Sequence, residues 1–262
     1  MRRPAPRLSR RFVRVWQRDL TVYRKIWKIS LLPPLLEPLL YLAAFGVGLS
    51  GLVGAMPYRG TTVPYLQFIA PGLLAINIMQ NAFFENTYGS FVRMVYQKTF
   101  SAILSTPLSA EDVIAGEIAW GATKSVIATA IMMAVILPFG FVSYPEGLLI
   151  LPLALLGGLA FGAVAMTFTA TIPSIDVFNL PTFLFVTPMF FFSGTFFSTE
   201  RLPHWAQLVA LALPLTHVAE AARALALGRL EGRVLWNVAY LVAFVGIFFP
   251  LSLRLMRRRL IE

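Results

Sequence analysis

The chain has 262 residues, is 58% hydrophobic and only 13% charged, and carries a formal net charge of +10. A soluble domain is about 25% charged, so the composition excludes one and implies an all-α integral membrane protein with several spans. There is no cysteine, which excludes disulfides, thiolate catalysis and cysteine-held metals, and two histidines are too few for a histidine-rich metal site.

Ten of the 22 Lys and Arg residues lie in the first 28 positions and four in the last nine. Clustering at the two ends is an orientation signal and not a nucleic-acid surface. Within residues 1–28, Phe12, Trp16, Leu20, Tyr23 and Trp27 recur at helical steps, with Arg14, Arg18 and Arg24 mostly elsewhere. Aromatics on one face and arginines on the other describe an amphipathic helix in the headgroup layer. A plain charge anchor is the alternative. A signal peptide does not fit, because the basic region is too long and no cleavage site follows a short apolar core.

The first span covers residues 29–52. Pro33, Pro34 and Pro38 kink its start, and Glu37 lies between them. A short outer loop, residues 53–65, carries Arg59. The second span, 66–88, places Asn77, Asn81, Glu85 and Tyr88 on one face. Such a stripe faces protein or water, either as interhelical hydrogen bonds or as part of a translocation path. Residues 89–112 are the longest polar interruption of the first half. An amphipathic helix over 92–104 is ended by Ser105-Thr106-Pro107, and Ser109 with Asp112 three residues on caps the next helix. The third span, 113–137, contains Glu117, Lys124 and a Gly121-Ser125-Thr129 ladder. Glu117 and Lys124 share a face two turns apart, and Lys124 is placed to pair with a carboxylate on another helix. Gly116 and Gly121 have phosphate-loop spacing, but Ala122-Thr123 stand where Lys-Ser/Thr is required.

The fourth span, 147–171, has an Ala154-Gly158-Gly162 seam for close helix packing. A tight turn with Asp176 leads to an aromatic fifth span, 177–197. Pro203 and Pro214 then divide residues 202–227 into two pieces too short to cross about 30 Å of hydrocarbon. They are expected as a re-entrant or interfacial pair, with His217, Glu220 and Arg223 as a polar cluster at helical spacing. The sixth span is 234–253. An even number of spans puts both arginine-rich ends in the cytoplasm.

Pro71-Gly72-Leu73, Glu85-Asn86-Thr87-Tyr88-Gly89-Ser90-Phe91, Lys98-Thr99, Thr106-Pro107-Leu108-Ser109 and Gly116-Glu117-Ile118 together resemble the type-2 ABC exporter permeases. The resemblance covers about residues 8–258 and is nearest the nodulation-signal (NodJ-like) branch. It implies the membrane subunit of an ATP-driven exporter in a bacterial inner membrane. The energy would come from a separate ATPase subunit, which holds ATP and Mg; this chain would hold no cofactor and no catalytic residue. It also implies a second copy of the chain, with the path at the shared interface and the first and fifth spans meeting there, and it places the pair within residues 202–227, with its polar cluster, on the outer side. Arg93, Gln97, Lys98, Thr99, Ala102, Thr106 and Pro107 fall in the loop that such an ATPase would grip, and Arg14, Trp16, Arg18 and Arg24 in the interface helix beside it. Glu37, Asn81, Glu85, Glu117 and Lys124 are candidates for the path or for intramembrane polar pairs. The branch points to an amphipathic substrate, whether lipo-oligosaccharide, polysaccharide or drug-like. Two other readings remain at this point. An ATP-independent channel or scaffold would not need the break-and-cap loop, and an intramembrane enzyme would need a catalytic constellation that the sequence lacks. The other partner is the lipid bilayer; no nucleic acid is expected.

Overall fold

Helix α1 (Phe12–Ser30) meets α2 (Leu32–Ala43) at a bend of 42° in the computed structural model, which describes residues 9–229 and 231–261. Residues 1–8 of the expected basic segment lie outside the described residues. Pro33 and Pro34 sit in the first turn of α2, where a missing N–H is least costly. A π-helical stretch, Ala44–Leu49, and one further turn, Ser50–Val53, carry α2 onward.

The expected outer loop is a β-hairpin. Strand β1 (Ala55–Tyr58) pairs antiparallel with β2 (Thr61–Pro64), in a register that sets Tyr58 opposite Thr61. Arg59 and Gly60 form the two-residue turn, both with positive φ, 49° and 71°, the geometry that matches strand twist.

Helix α3 runs from Tyr65 to Tyr96, through π-helical turns at Glu85–Gly89 and Val92–Tyr96. The helix that carries the expected second span therefore runs on past Tyr88 into the polar interruption. Lys98, left-handed at φ 53°, breaks it before the short helix α4 (Thr99–Leu104). Helix α5 (Ala110–Ile136) starts at a reciprocal cap: Ser109 Oγ accepts from the Asp112 amide at 3.1 Å, and the Asp112 carboxylate accepts from the Ser109 amide at 3.3 Å. Helix α6 (Ile150–Thr171) follows a 3₁₀ turn, Glu146–Leu149, and α7 spans Ile175–Phe192, five residues short of the expected end. Helices α8 (His204–Ala212) and α9 (Pro214–Ala226) are bent 89° against each other, because Leu213, before a proline, is extended. Helix α10 (Gly232–Ile261) continues eight residues beyond the expected 253.

Helix α3 is the centre of the packing. Phe68, Ile69, Leu74, Ile78, Met79 and Phe83 are fully enclosed, against α5, α6 and α9. Between membrane helices lipid is as apolar as a leucine, so close fit holds them together. The small-residue seam supplies that fit: a Cβ on Gly158 would lie 2.7 Å from the Ala122 Cα, and Ser125 Oγ donates to the Ile78 carbonyl at 2.9 Å.

Polar contacts gather at two ends. At one end the Ser9 amide donates to Asp112 at 2.8 Å, Arg11 to the Pro107 carbonyl at 2.7 Å, and Arg257 meets Glu111 at 3.1 Å. Arg259 there donates to the Thr169 and Ile172 carbonyls. At the other end Arg59 of the hairpin pairs with Glu231 at 2.7 Å and Glu220 at 3.2 Å, and Arg229 donates to Thr61 at 3.0 Å. Both described ends of the chain thus lie beside the 97–109 segment, opposite the hairpin.

Candidate functional site

Where α3 passes from α-helical to π-helical winding, the backbone turns Glu85 and Arg93 toward α5. Glu117 of α5 is fully buried. It accepts from Ser90 Oγ at 2.7 Å and from Arg93 Nε at 2.9 Å, and forms a second ion-pair contact with Arg93 Nη2 at 2.5 Å. The other guanidinium nitrogen of Arg93 donates to Glu85 at 2.8 Å, and the second oxygen of Glu85 accepts from Lys124 Nζ at 2.7 Å. Four charges alternate in sign along Lys124, Glu85, Arg93 and Glu117. A planar fork such as arginine's suits this bridging of two carboxylates. Such a chain keeps charges buried only because each has a partner, and removing one leaves its neighbour uncompensated. π-helical turns are rare and gather at functional sites; both of these lie at this network.

Arg93, expected in the loop that an ATPase would grip, has a side chain only 14% exposed and directed to Glu85 and Glu117. Gln97, Lys98, Ala102, Thr106 and Pro107 are exposed and Thr99 is half-buried. They are held in place by Phe100, fully buried under α4, and by the Arg11 bond to Pro107.

Helix α1 closes the third side. A Cβ on Gly116 would lie 2.5 Å from the Val15 Cβ, so glycine permits the close approach of α1 to α5. Trp16 Nε1 donates to Thr123 Oγ1 at 2.9 Å, and Tyr23 meets Trp120 edge-on at 5.4 Å. The aromatic face expected in the headgroup layer is therefore half applied to α5. Arg14 and Arg24 are exposed, but Arg18 turns in and pairs with Asp19 at 2.6 Å. Asp19, 4% exposed, is the residue that sequence reasoning passed over. It is the one acid among the first 28 residues, and that isolation among arginines was its available signal. Burial, and next the charge of Glu117, push its carboxyl up to about 7, against the pull of Arg93 and Arg18.

Two cavities meet at this network. The larger, about 430 Å³, lies between α1, α3 and α5 and is lined by Arg18, Asp19, Tyr23, Glu85, Tyr88, Arg93, Gln97, Trp120 and Lys124 among others. The second, about 310 Å³, is lined by Pro33, Pro34, Glu37, Gln80, Asn81, Phe84, Glu85, Gly89 and Lys124. Glu85, Gly89 and Lys124 border both. Of the expected intramembrane group, Glu85, Glu117 and Lys124 join in one network, while Glu37 and Asn81 line the cavity beside it. Glu117 and Lys124 share a face but bind different partners.

The expected outer cluster divides in two. Arg223 is fully buried, donating to Glu220 and to the Gly194 carbonyl at 2.8 Å each and to the Phe68 carbonyl at 3.1 Å, with its guanidinium 3.8 Å from the Phe68 ring centroid. His217 takes no part. It bonds Asn237 at 2.9 Å and the Leu211 carbonyl at 3.0 Å and stacks on Tyr240, because three residues from Glu220 on a bent pair it faces α10 and not the hairpin.

Comparison with known proteins matches residues 10–227 to the family described as ABC-2 type transporter. Nodulation protein J of Rhizobium leguminosarum bv. trifolii is 38% identical over 254 residues, covering 97% of this chain and 95% of that protein. Nodulation protein J of Sinorhizobium fredii is 37% identical over 251 residues, covering 96% and 94%. The inner membrane transport permease YadH of Escherichia coli is 28% identical over 251 residues, covering 93% of each.

Proposed function

This chain belongs to the ABC-2 type transporter family as a multi-pass membrane permease, and we propose that it exports an amphipathic substrate with energy from a separate ATPase subunit. The observation that carries the coupling is the exposed segment 95–107, which continues directly from α3. Tyr96, Gln97, Lys98, Ser101, Ala102, Ser105, Thr106 and Pro107 are all exposed there, on a buried Phe100 anchor and ahead of a capped helix. A surface held so firmly yet left uncovered suits a soluble partner. Push on it passes through Arg93 to the Glu85–Lys124 pair between the cavities. ATP and Mg belong to the partner, and this chain contributes no catalytic group.

In this reading α2, α3, α5, α6, α7 and α10 cross a bacterial inner membrane, and the bent pair α8–α9 stays at the outer side. The end with α1, segment 97–109 and Arg254, Arg257, Arg258 and Arg259 is cytoplasmic, as the concentration of arginine there favours. A second copy meets the first along α2 and α7, whose Leu35, Leu36, Leu39, Leu40, Phe183 and Leu184 are exposed. The substrate is a lipo-oligosaccharide, a polysaccharide or a drug-like amphiphile.

The test is purification of the solubilised chain from its host with identification of what accompanies it. An ATPase in equal amount, lost on Lys98→Glu or on scrambling 97–107 in a still-inserted protein, supports the reading. Absence of an ATPase in detergents that preserve a dimer rejects it in favour of an ATP-independent channel or scaffold.

A further inference from the structure

A groove of about 500 Å³ follows the line where α6, α9 and α10 meet at the hairpin end. Its walls are Leu149, just ahead of α6, Leu153 and Leu156 on that helix, Leu225 of α9, and Leu235 and Val238 of α10. Among the described residues the one charge in its lining is Glu231, immediately before α10. Leu149 and Leu235 are exposed, and a Cβ on Gly232 would meet nothing within 4 Å. The groove is therefore open along its side, toward the bilayer. It shares no lining residue with the two cavities at the charge network.

Size and charge restrict what fills it. Leu149 to Leu156 and Glu231 to Val238 each run inward from the hairpin end, over about 10 Å at about 1.5 Å per residue. Against about 30 Å of hydrocarbon, that is most of one leaflet, a length that suits a single acyl chain. A chain there gains little over one in the free bilayer, because lipid is as apolar as leucine. Preference among lipids must then come from the head group, and Glu231 marks where it lies. Its side chain is 44% exposed and its Oε2 accepts from Arg59 at 2.7 Å. Arg59 is its only hydrogen-bond partner among the described residues, and Arg59 also serves Glu220 at 3.2 Å. The second oxygen of Glu231 is thus left for a donor. Arg233, two residues on, is exposed and supplies a cation for a phosphate. An acid and an arginine on either side of Gly232 complement a head group that carries both an ammonium and a phosphate. A quaternary ammonium has no N–H to donate to Glu231, and an anionic head group would place negative charge against it.

We propose that this groove holds a phosphatidylethanolamine of the surrounding bilayer, with one acyl chain between α6 and α10, its ammonium on Glu231 and its phosphate on Arg233. It is a resident lipid and not cargo, since the groove touches neither cavity at the charge network. The chemistry stands on the groove alone; the reading given above for the spans supplies only the leaflet, which is the outer one. A lipid so held joins α6 to α10 beside the Arg59–Glu231 contact that fastens the hairpin.

The test uses the delipidated full chain in detergent, mixed with phosphatidylethanolamine, phosphatidylcholine or phosphatidylglycerol of the same acyl chains, with retained lipid counted by native mass spectrometry. Phosphatidylethanolamine is expected in excess of the other two. Loss of a charge-assisted hydrogen bond should lower that excess about tenfold in Glu231→Gln. Arg59→Gln breaks the same hairpin contact but keeps the carboxylate, so the excess should persist or grow. Leu149→Trp, at an exposed wall position, should lower retention of all three lipids by filling the groove. Equal retention of phosphatidylethanolamine and phosphatidylcholine overturns the proposal, and so does a preference for phosphatidylglycerol. Equal loss in Arg59→Gln and Glu231→Gln also overturns it, in favour of hairpin integrity, and retention unmoved by Leu149→Trp places the lipid elsewhere. The leaflet is read separately, with Arg233→Cys in this cysteine-free chain and a membrane-impermeant maleimide on spheroplasts. Labelling only after lysis sinks the assignment of sides and leaves the site standing; labelling from outside without lipid preference sinks the site alone.

Discussion

Arg93→Met removes the cation that joins Glu85 to Glu117. Glu117, with no exposed surface, would keep only the Ser90 hydroxyl, and Glu85 only Lys124. Breaking a buried pair from one side costs about 3–5 kcal/mol, because a charge is left without compensation. For a chain near this size about 2–4 °C of melting temperature accompanies each kcal/mol, so the midpoint should fall by roughly 6–20 °C. The assay is thermal unfolding of the detergent-solubilised chain followed by tryptophan fluorescence. Glu117→Gln in the same molecule removes the stranded charge and keeps the Ser90 contact, so the double variant should recover a large part of the loss. A fall under about 2 °C would show that water reaches Glu117 in the folded protein. A double variant as low as the sum of the two singles would show that the pair is not coupled.

Gly116→Leu should displace α1, since even a Cβ there lies 2.5 Å from the Val15 Cβ and 2.9 Å from the Phe12 carbonyl; a spin label on Gln17→Cys, unique in a cysteine-free chain, should become more mobile. The same label reports a pH effect. Docked, the Asp19 carboxyl titrates near 7, and released from α5 it would return to 3.8; the docked state therefore holds the proton, docking is firmest below pH 4, and it weakens as pH rises toward 7 by at most about 4 kcal/mol. Label mobility should rise between pH 5 and 8 and become flat in Asp19→Asn. Arg223→Met should lower the melting midpoint by an amount similar to Arg93→Met, because it strands two carbonyls in a fully buried site, while Arg223→Lys recovers only part, lacking the planar fork.

The membrane helices were legible because their information is local. The Ser109 and Asp112 pair announces the start of α5, Pro107 the break before it, and the Ala154-Gly158-Gly162 seam the face of α6 that meets α5. What was not legible needed a partner from far along the chain. The hairpin escaped notice because Arg59-Gly60 stands where Asn-Gly or Asp-Gly would signal the turn, and Arg59 holds its left-handed backbone with Glu220 and Glu231, 161 and 172 residues away. The continuation of α3 past Tyr88 was hidden because the polar residues Arg93, Gln97 and Lys98 make 92–104 read as a separate amphipathic helix. The inward turn of Arg93 depends on π-helical winding, for which periodicity at 3.6 residues per turn has no term. His217 was grouped with Glu220 by spacing, yet three residues on a helix are neighbours only when a third element does not draw one aside, and Asn237 does.

These differences come down to one physical point. Spacing along a helix tells which residues can meet, and burial decides which of them must. Glu117 with no exposure and Arg93 with little have few alternatives to each other once α3 and α5 touch, and α3 and α5 touch because Ser125 and the small residues around it permit it. The charge network is thus a consequence of the apolar seam and not a separate design. A change that loosens the seam, far from any charge, should loosen the network with it. Segment 97–107 continues from the helix that bears Arg93, so a substitution that loosens the seam should also raise the mobility of a spin label placed on that segment.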